Sequence, residues 1–154
     1  MSNLKPIREY VAEALQSNRL AVLATEGEGQ PHASLIAITP FKGFRQLIFA
    51  TYRNTRKFRN LTKNAKVAVL IEGKNEEKPG IQNGFVITAY GVVEEINISA
   101  NDTVLQAHLY KYPELLNFTK ESDCALMLVK VESYQVVQGI DNVAWLSVND
   151  LDRT

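Results

Sequence analysis

Thr51, Thr55, Arg56 and Lys57 are the residues best placed to do chemistry. They lie in "ATYRNTRKFRNL" (50–61), where an apolar strand pattern runs into a helix start. The first turn of a helix carries positive partial charge and favours acids. This turn instead offers Arg53, Arg56, Lys57 and Arg59, and no acid. The conflict disappears if an anion sits there. Free N–H groups at a helix start point at such a ligand and the dipole favours it. Arg56 adds a forked, charge-assisted contact and Lys57 a point charge. Thr51 and Thr55 add hydroxyls, and the set suits a phosphate monoester. A solvated basic helix face without a ligand is the competing reading, and composition alone does not separate the two.

The charge distribution favours a local site. The 154-residue chain has no formal net charge. Residues 29–71 nevertheless hold eight Lys and Arg residues and no Asp or Glu, which leaves nine bases against seventeen acids elsewhere. A cationic block inside an acidic protein points to one anion site rather than a general polyanion surface. Phe41, Phe44, Tyr52 and Phe58 interleave with these cations, a pattern single-strand nucleic-acid binders use. A neutral total and a pI near 6.7 argue against that class.

Other chemistry-bearing residues are sparse. His32, at the start of a strand, reads as a surface or turn histidine before a catalytic base. His108 falls on the apolar face of a helix and reads as packed. Two histidines far apart and one cysteine make no metal motif. Cys124 opens an apolar strand and reads as a buried thiol; alone, it excludes an internal disulfide. Trp145 reads as core packing of the C-terminus ahead of a cap on a ligand or partner subunit. No catalytic triad order and no glycine-rich phosphate loop is present.

The elements that must position the basic turn follow from periodicity. Leu4, Ile7, Val11 and Leu15 predict an amphipathic helix over 4–17, with Pro6 tolerated in its first turn. Strands are predicted at 19–25, 31–41, 45–51, 66–73, 85–96 and 125–139, the first three joined by hairpin turns. Gly91 inside its strand predicts a bulge or close backbone approach. Asn54 or Thr55 caps the helix of the basic turn, and Asn64 stops it. "SAND" (99–102) offers a serine cap for a third helix, which Pro113 helps to end. Residues 74–84 read as a polar loop, and the tail from 140 shows no strong pattern. Six antiparallel strands with few helices predict a mainly β, closed or nearly closed barrel in a single domain, 1–154. No signal-peptide stretch and no apolar run near the roughly 20 residues of a membrane span is present, so a cytoplasmic protein is expected.

The order of these elements carries a resemblance. Ala50-Thr51, then Thr55-Arg56-Lys57, then Asn60, Asn64 and "KVAVLI", preceded by "AVLAT" and "GQPHASLIAI", resemble the pyridoxamine 5′-phosphate oxidase-like family of flavin-binding split β-barrels. The resemblance is close over 19–73 and looser over 85–139. It implies a six-stranded antiparallel split barrel that binds FMN between the subunits of a homodimer. Arg56 and Lys57 would take the phosphate, with Thr51 and Thr55 beside Ala50. The backbone of Ser34, Leu35, Ile36 and Ala37 would lie along the isoalloxazine ring. The family also implies alternatives, the deazaflavin F420 or haem. Two departures stand out. Members that oxidise pyridoxamine phosphate carry an Arg-x-His substrate motif near the C-terminus, and this tail has no histidine. They also carry an aromatic before Gln-Gly in the last strand, where this chain has Val137. An FMN-dependent oxidoreductase of unknown substrate and catalytic residues is therefore expected, not a pyridoxamine phosphate oxidase. A non-enzymatic flavin binder or sensor is the alternative.

Overall fold

A computed structural model of the chain describes residues 4–17, 20–73, 84–100, 102–139 and 142–152. The predicted strands form, with boundaries within two residues over most of their length. They are β1 (Leu20–Gly27), β2 (Gln30–Ala37), β3 (Thr39–Phe41), β4 (Gln46–Tyr52), β5 (Lys66–Gly73), β6 (Phe85–Ile96), β7 (Cys124–Gln138) and β8 (Asn142–Ser147). Helices are α1 (Leu4–Ser17), α2 (Arg56–Lys63), α3 (Asp102–Lys111) and α4 (Leu116–Lys120). None is long and apolar enough to cross a membrane. The predicted polar loop at 74–84 falls outside the described residues except for Gly84.

The sheet is antiparallel, in the order β2-β1-β5-β6-β7-β4-β3, with β8 added to β7. Among the described residues it has eight strands rather than the expected six, for two reasons. The strand expected at 31–41 is divided at Ile38 into β2 and β3. The carbonyl of Ile38 is bound by the Tyr112 hydroxyl at 2.6 Å and the Lys111 ammonium at 2.9 Å, and Pro40 has no N–H to extend a ladder. The tail also folds as β8, because β7 continues far enough to offer it an edge from Ser133 to Gln138.

This division is what makes a barrel with a split. One continuous stretch of chain lies at both ends of the strand order, so β2 and β3 bring the sheet round on itself. β3 pairs with β4 from Thr39 opposite Ile48 to Phe41 opposite Gln46. Continued by two residues, that register would set Ala37 against Ala50, but no pairing forms there. Among the described residues β2 pairs with β1 alone. Its other edge faces the gap where β2 and β4 part.

Alternation fills the interior. Leu23, Ile36, Leu47, Phe49, Val69, Ile71, Ile87, Val129 and Tyr134 are buried in one core that also takes Ile7, Val11, Ala14 and Leu15 of α1. The outer faces of β4 and β7 carry a second cluster, Ile48, Leu126 and Leu128 against Val104 of α3. Gly91 meets both expectations set for it. The β6–β7 register shifts at Tyr90/Gly91, and a Cβ on Gly91 would stand 2.3 Å from the Lys130 carbonyl oxygen.

Three expectations about packing resolve differently. His108 is fully buried, as expected for a packed histidine, with Nδ1 2.8 Å from Thr39 Oγ1. Trp145 is not core: it stands 54% exposed on β8, tilted against Tyr90 with ring centroids 5.7 Å apart. Strand alternation turns Leu146 inward instead. Ser99 does not cap α3. Asn97 Oδ1 accepts from the amides of Ser99 and Ala100, closing a turn of its own, and the helix starts at Asp102. The cap position at 101 lies outside the described residues.

Candidate functional site

The basic turn leaves β4 and enters α2, and local hydrogen bonds dictate its shape. Thr55 is the N-cap: extended, at φ −138° and ψ 156°, its hydroxyl oxygen accepts from Phe58 N–H. The same hydroxyl donates to the Tyr52 carbonyl at 2.9 Å. Asn64 ends the helix as expected, its amide bonded to the Asn60 carbonyl. By helical geometry the amides of Arg56 and Lys57 have no intrahelical acceptor, so they point out of the helix start.

Two asparagines and a glutamate hold α2 against β1. Buried Asn60 donates through Nδ2 to Thr25 Oγ1 at 3.0 Å, and Asn64 Nδ2 donates to Glu26 Oε1 at 3.0 Å. Glu26 also accepts from the Gly29 amide. The bonds from Asn64 and Gly29 hold the Glu26 carboxyl below its ordinary pKa. Gly27 lets the helix approach, since a Cβ there would stand 2.1 Å from Asn60 Oδ1. Sequence reasoning had Asn60 and Asn64 as part of a pattern, without their partners. Their spacing of four residues, which puts both on one helix face, was the available signal.

The four cations of the turn have three different roles. Arg53 is structural. Its guanidinium donates to the carbonyls of Ser122 and Cys124 at 3.2 and 3.1 Å and pairs with Glu95. It therefore ties the end of β4 to β6 and to the turn before β7. Lys57 is half-buried, and its ammonium donates to Thr51 Oγ1 at 3.2 Å. Burial lowers its pKa, because a desolvated ammonium loses hydration that no carboxylate here replaces. Arg56 and Arg59 are exposed and lie on the other side of the helix, lining a cleft of about 320 Å³ with Lys63, Gly27, Glu28 and Gln30.

The remaining expected site residues gather at the split. Thr51 is buried at the end of β4, next to half-buried Ala50. Across the gap runs β2 with Ser34, Leu35, Ile36 and Ala37. Ile36 faces the core and Leu35 faces out, 65% exposed. The buried Ser34 hydroxyl oxygen has no hydrogen-bond partner. β2 thus offers an open strand edge with an unmatched buried hydroxyl, and the turn after β4 offers a half-buried ammonium at a helix start. The donors free to meet an anion are the Lys57 ammonium, the Arg56 guanidinium and the first-turn amides. The Thr51 and Thr55 hydroxyls are directed at the Tyr52 carbonyl, so they shape the turn. His32 is half-buried on β2, opposite Thr25. Cys124 is a buried free thiol, its pKa raised by burial. Among the described residues no group of three or more His, Cys, Asp or Glu side chains could hold a metal.

The chain is an antiparallel split barrel with a basic helix start where β4 ends. Residues 7–137 match the profile of the pyridoxamine 5′-phosphate oxidase family, and the chain belongs to that family. No curated protein matches it. Several solved structures share the fold. A haem-binding protein from Mycobacterium smegmatis superposes with a TM-score of 0.80 at 20% identity, over 91% of this chain and 57% of that one. A Clostridium acetobutylicum protein of the pyridoxinephosphate oxidase family, related to general stress protein 26 of B. subtilis, gives 0.74 at 15% identity over 96% and 98%. An FAD-binding protein from Mesorhizobium loti gives 0.69 at 15% identity over 88% and 94%. At these identities the likeness is one of fold.

Proposed function

We propose that the protein binds FMN at the split and acts as an oxidoreductase on a small molecule, as a homodimer. The observation that carries this reading is the start of α2, where, among the described residues, the half-buried Lys57 ammonium and the first-turn amides lack an anionic partner and Arg56 is the first helical residue. A phosphate there would neutralise a half-buried ammonium and supply the acceptor that the helix start lacks. The Ser34–Ala37 backbone offers a flat strand edge for the polar rim of a ring. The flavin, when bound, supplies the electron-transfer chemistry; the chain binds it, orients it and leaves a face for substrate.

Dimerisation is supported by the outer face of the sheet. Leu35, Val22 and Leu70 stand in one row across β2, β1 and β5. Leu20, Tyr90, Val92 and Trp145 are also exposed apolar residues on β1, β6 and β8. A patch of this kind marks an interface, and a twofold pairing covers it symmetrically.

Haem is the second reading, favoured by the mycobacterial neighbour. An axial histidine would have to be His32, because His108 is enclosed and held by Thr39. The absorption spectrum of the purified protein separates FMN, F420 and haem. Anaerobic bleaching of bound flavin by NADH or NADPH, followed by turnover with an acceptor, separates an enzyme from a passive binder.

The phosphate contacts are tested by titrating FMN and riboflavin against Arg56→Ala and Lys57→Met. Charge-assisted bonds contribute about 1.5–3 kcal/mol, so FMN should bind either variant about tenfold to a hundredfold more weakly. Riboflavin, which lacks the phosphate, should bind parent and variants alike. Unchanged FMN affinity in both variants would leave α2 as a solvated basic face.

A further inference from the structure

Three polar side chains at the C-terminal end of α3 converge on the two residues where β2 passes into β3. His108 Nδ1 lies 2.8 Å from Thr39 Oγ1. The Tyr112 hydroxyl and the Lys111 ammonium donate to the Ile38 carbonyl at 2.6 and 2.9 Å. Lys111 also donates to the Leu15 carbonyl of α1 at 3.0 Å, so it ties the same point to a second helix. Tyr112 directly follows α3, its amide still bonded to the His108 carbonyl, and the spacing of positions 108, 111 and 112 puts them on one helix face. His108, Tyr112 and Thr39 are buried, and among the described residues His108 Nε2 has no hydrogen-bond partner. An apolar side chain would avoid the cost of burying that group. Directed bonds, not packing alone, fix this hinge.

Strand alternation shows what the hinge keeps apart. Glu28 and Gly29, at φ 54° and 82°, form a two-residue turn, which makes Gly27 and Gln30 a hydrogen-bonded pair. Counted from Gln30, the even-numbered residues of β2 turn N–H and C=O to β1, and Ala33, Leu35 and Ala37 turn theirs to the gap. The Arg45 carbonyl, just before β4, accepts from the Val131 amide of β7. Gln46, Ile48 and Ala50 accordingly face β3 and the gap. Ala37 and Ala50 thus aim their backbone groups at one another, in the register that β3 and β4 already share, yet among the described residues they do not pair. A hydrogen-bonded antiparallel pair exchanges both N–H···O bonds, so closing the gap here would add hydrogen bonds. The Ile38 carbonyl points to the opposite side of the chain, and there Tyr112 and Lys111 hold it, away from β4. We propose that His108, Lys111 and Tyr112 are positioning residues that hold β2 off β4 and so keep the β2 edge open to a ligand. The proposal rests on the flavin reading above only for which ligand uses that edge.

The test is amide hydrogen exchange, read residue by residue by NMR on the flavin-free full chain, beside titrations with FMN and riboflavin. Parent, the double variant Lys111→Met/Tyr112→Phe, and Lys57→Met are compared. In the parent the Ala37 and Ala50 amides should exchange freely. In the double variant both should slow about tenfold, the equivalent of one hydrogen bond, while amides elsewhere in the sheet exchange as before or faster. A purely structural role predicts faster exchange throughout and no new protection. FMN and riboflavin should both bind the double variant about tenfold more weakly, because the ring edge is lost to both; Lys57→Met should weaken FMN alone. The single variants Lys111→Met and Tyr112→Phe carry the same test if the double variant does not fold. Ala37 and Ala50 amides that stay unprotected in the variant, or flavin affinities equal to those of a flavin-binding parent, overturn the proposal. A parent that binds neither flavin sinks the flavin reading, and the exchange result alone then decides the hinge.

Discussion

Gly27→Ala should loosen α2 from the barrel, and the size of the effect follows from one contact. Gly27 does not adopt positive φ, so alanine fits its backbone. The obstacle is Asn60: the new Cβ would stand 2.1 Å from Oδ1 and 2.9 Å from Cγ. Relief requires the Asn60 amide to turn, which breaks its 3.0 Å bond to Thr25 at a site only 9% exposed. Leaving such a buried group unsatisfied costs about 1–3 kcal/mol. Restricting the unfolded chain by replacing glycine returns about 0.4–1 kcal/mol. A net loss of about 1–2 kcal/mol is expected, read as a lower urea midpoint at unchanged slope. FMN affinity should fall too, because the displaced helix carries Arg56 and Lys57. The control is the same substitution in an Asn60→Ala background, where no amide is in the way. There Gly27→Ala should be neutral or slightly stabilising, giving a coupling energy of about 1 kcal/mol or more. Equal destabilisation in both backgrounds, or none in the parent, would refute the close-approach argument.

Three further outcomes are expected. Tyr112→Phe removes one of two donors to the Ile38 carbonyl, so thermal stability should fall by about 0.5–1.5 kcal/mol, the Lys111 bond remaining; an unaltered melting curve would mean that this hydroxyl does not stabilise the strand break. His108 has its pKa pulled down to about 4, first by burial and then by Lys111. The unfolded chain therefore takes up a proton at His108 between about pH 6.5 and 4 while the native state does not. Its contribution to stability is complete above pH 6.5 and is lost as pH falls toward 4, so urea midpoints of the parent should drop more steeply from pH 7 to 5 than those of His108→Gln. Leu35→Asp and Leu70→Glu each put a charge into the exposed apolar row, and sedimentation should show monomers with weakened flavin binding; a dimer that survives both would move the interface elsewhere.

Much of this protein was legible before any coordinates. Strand and helix periods are local properties, so β5 at 66–73, β6 at 85–96 and α1 at 4–17 match their predicted limits. Caps are local too, and Thr55 and Asn64 bound α2 as their side-chain chemistry requires. The excess of positive charge at the helix start was visible for the same reason. What periodicity could not reveal is which strand edges meet. The break at Ile38 depends on Tyr112 and Lys111, more than seventy residues away, and β8 depends on the length of β7. Trp145 looked like core because a large aromatic gains by burial, but strand alternation turned Leu146 inward and left the tryptophan outside. The four cations of the turn look equivalent in one dimension. Only packing separates Arg53, occupied by the Ser122 and Cys124 carbonyls, from Lys57 against Thr51 and from Arg56 and Arg59 in the cleft. Residue type determined the excess of positive charge at this turn; partners brought from distant parts of the chain decided which of its side chains are occupied and which stay exposed.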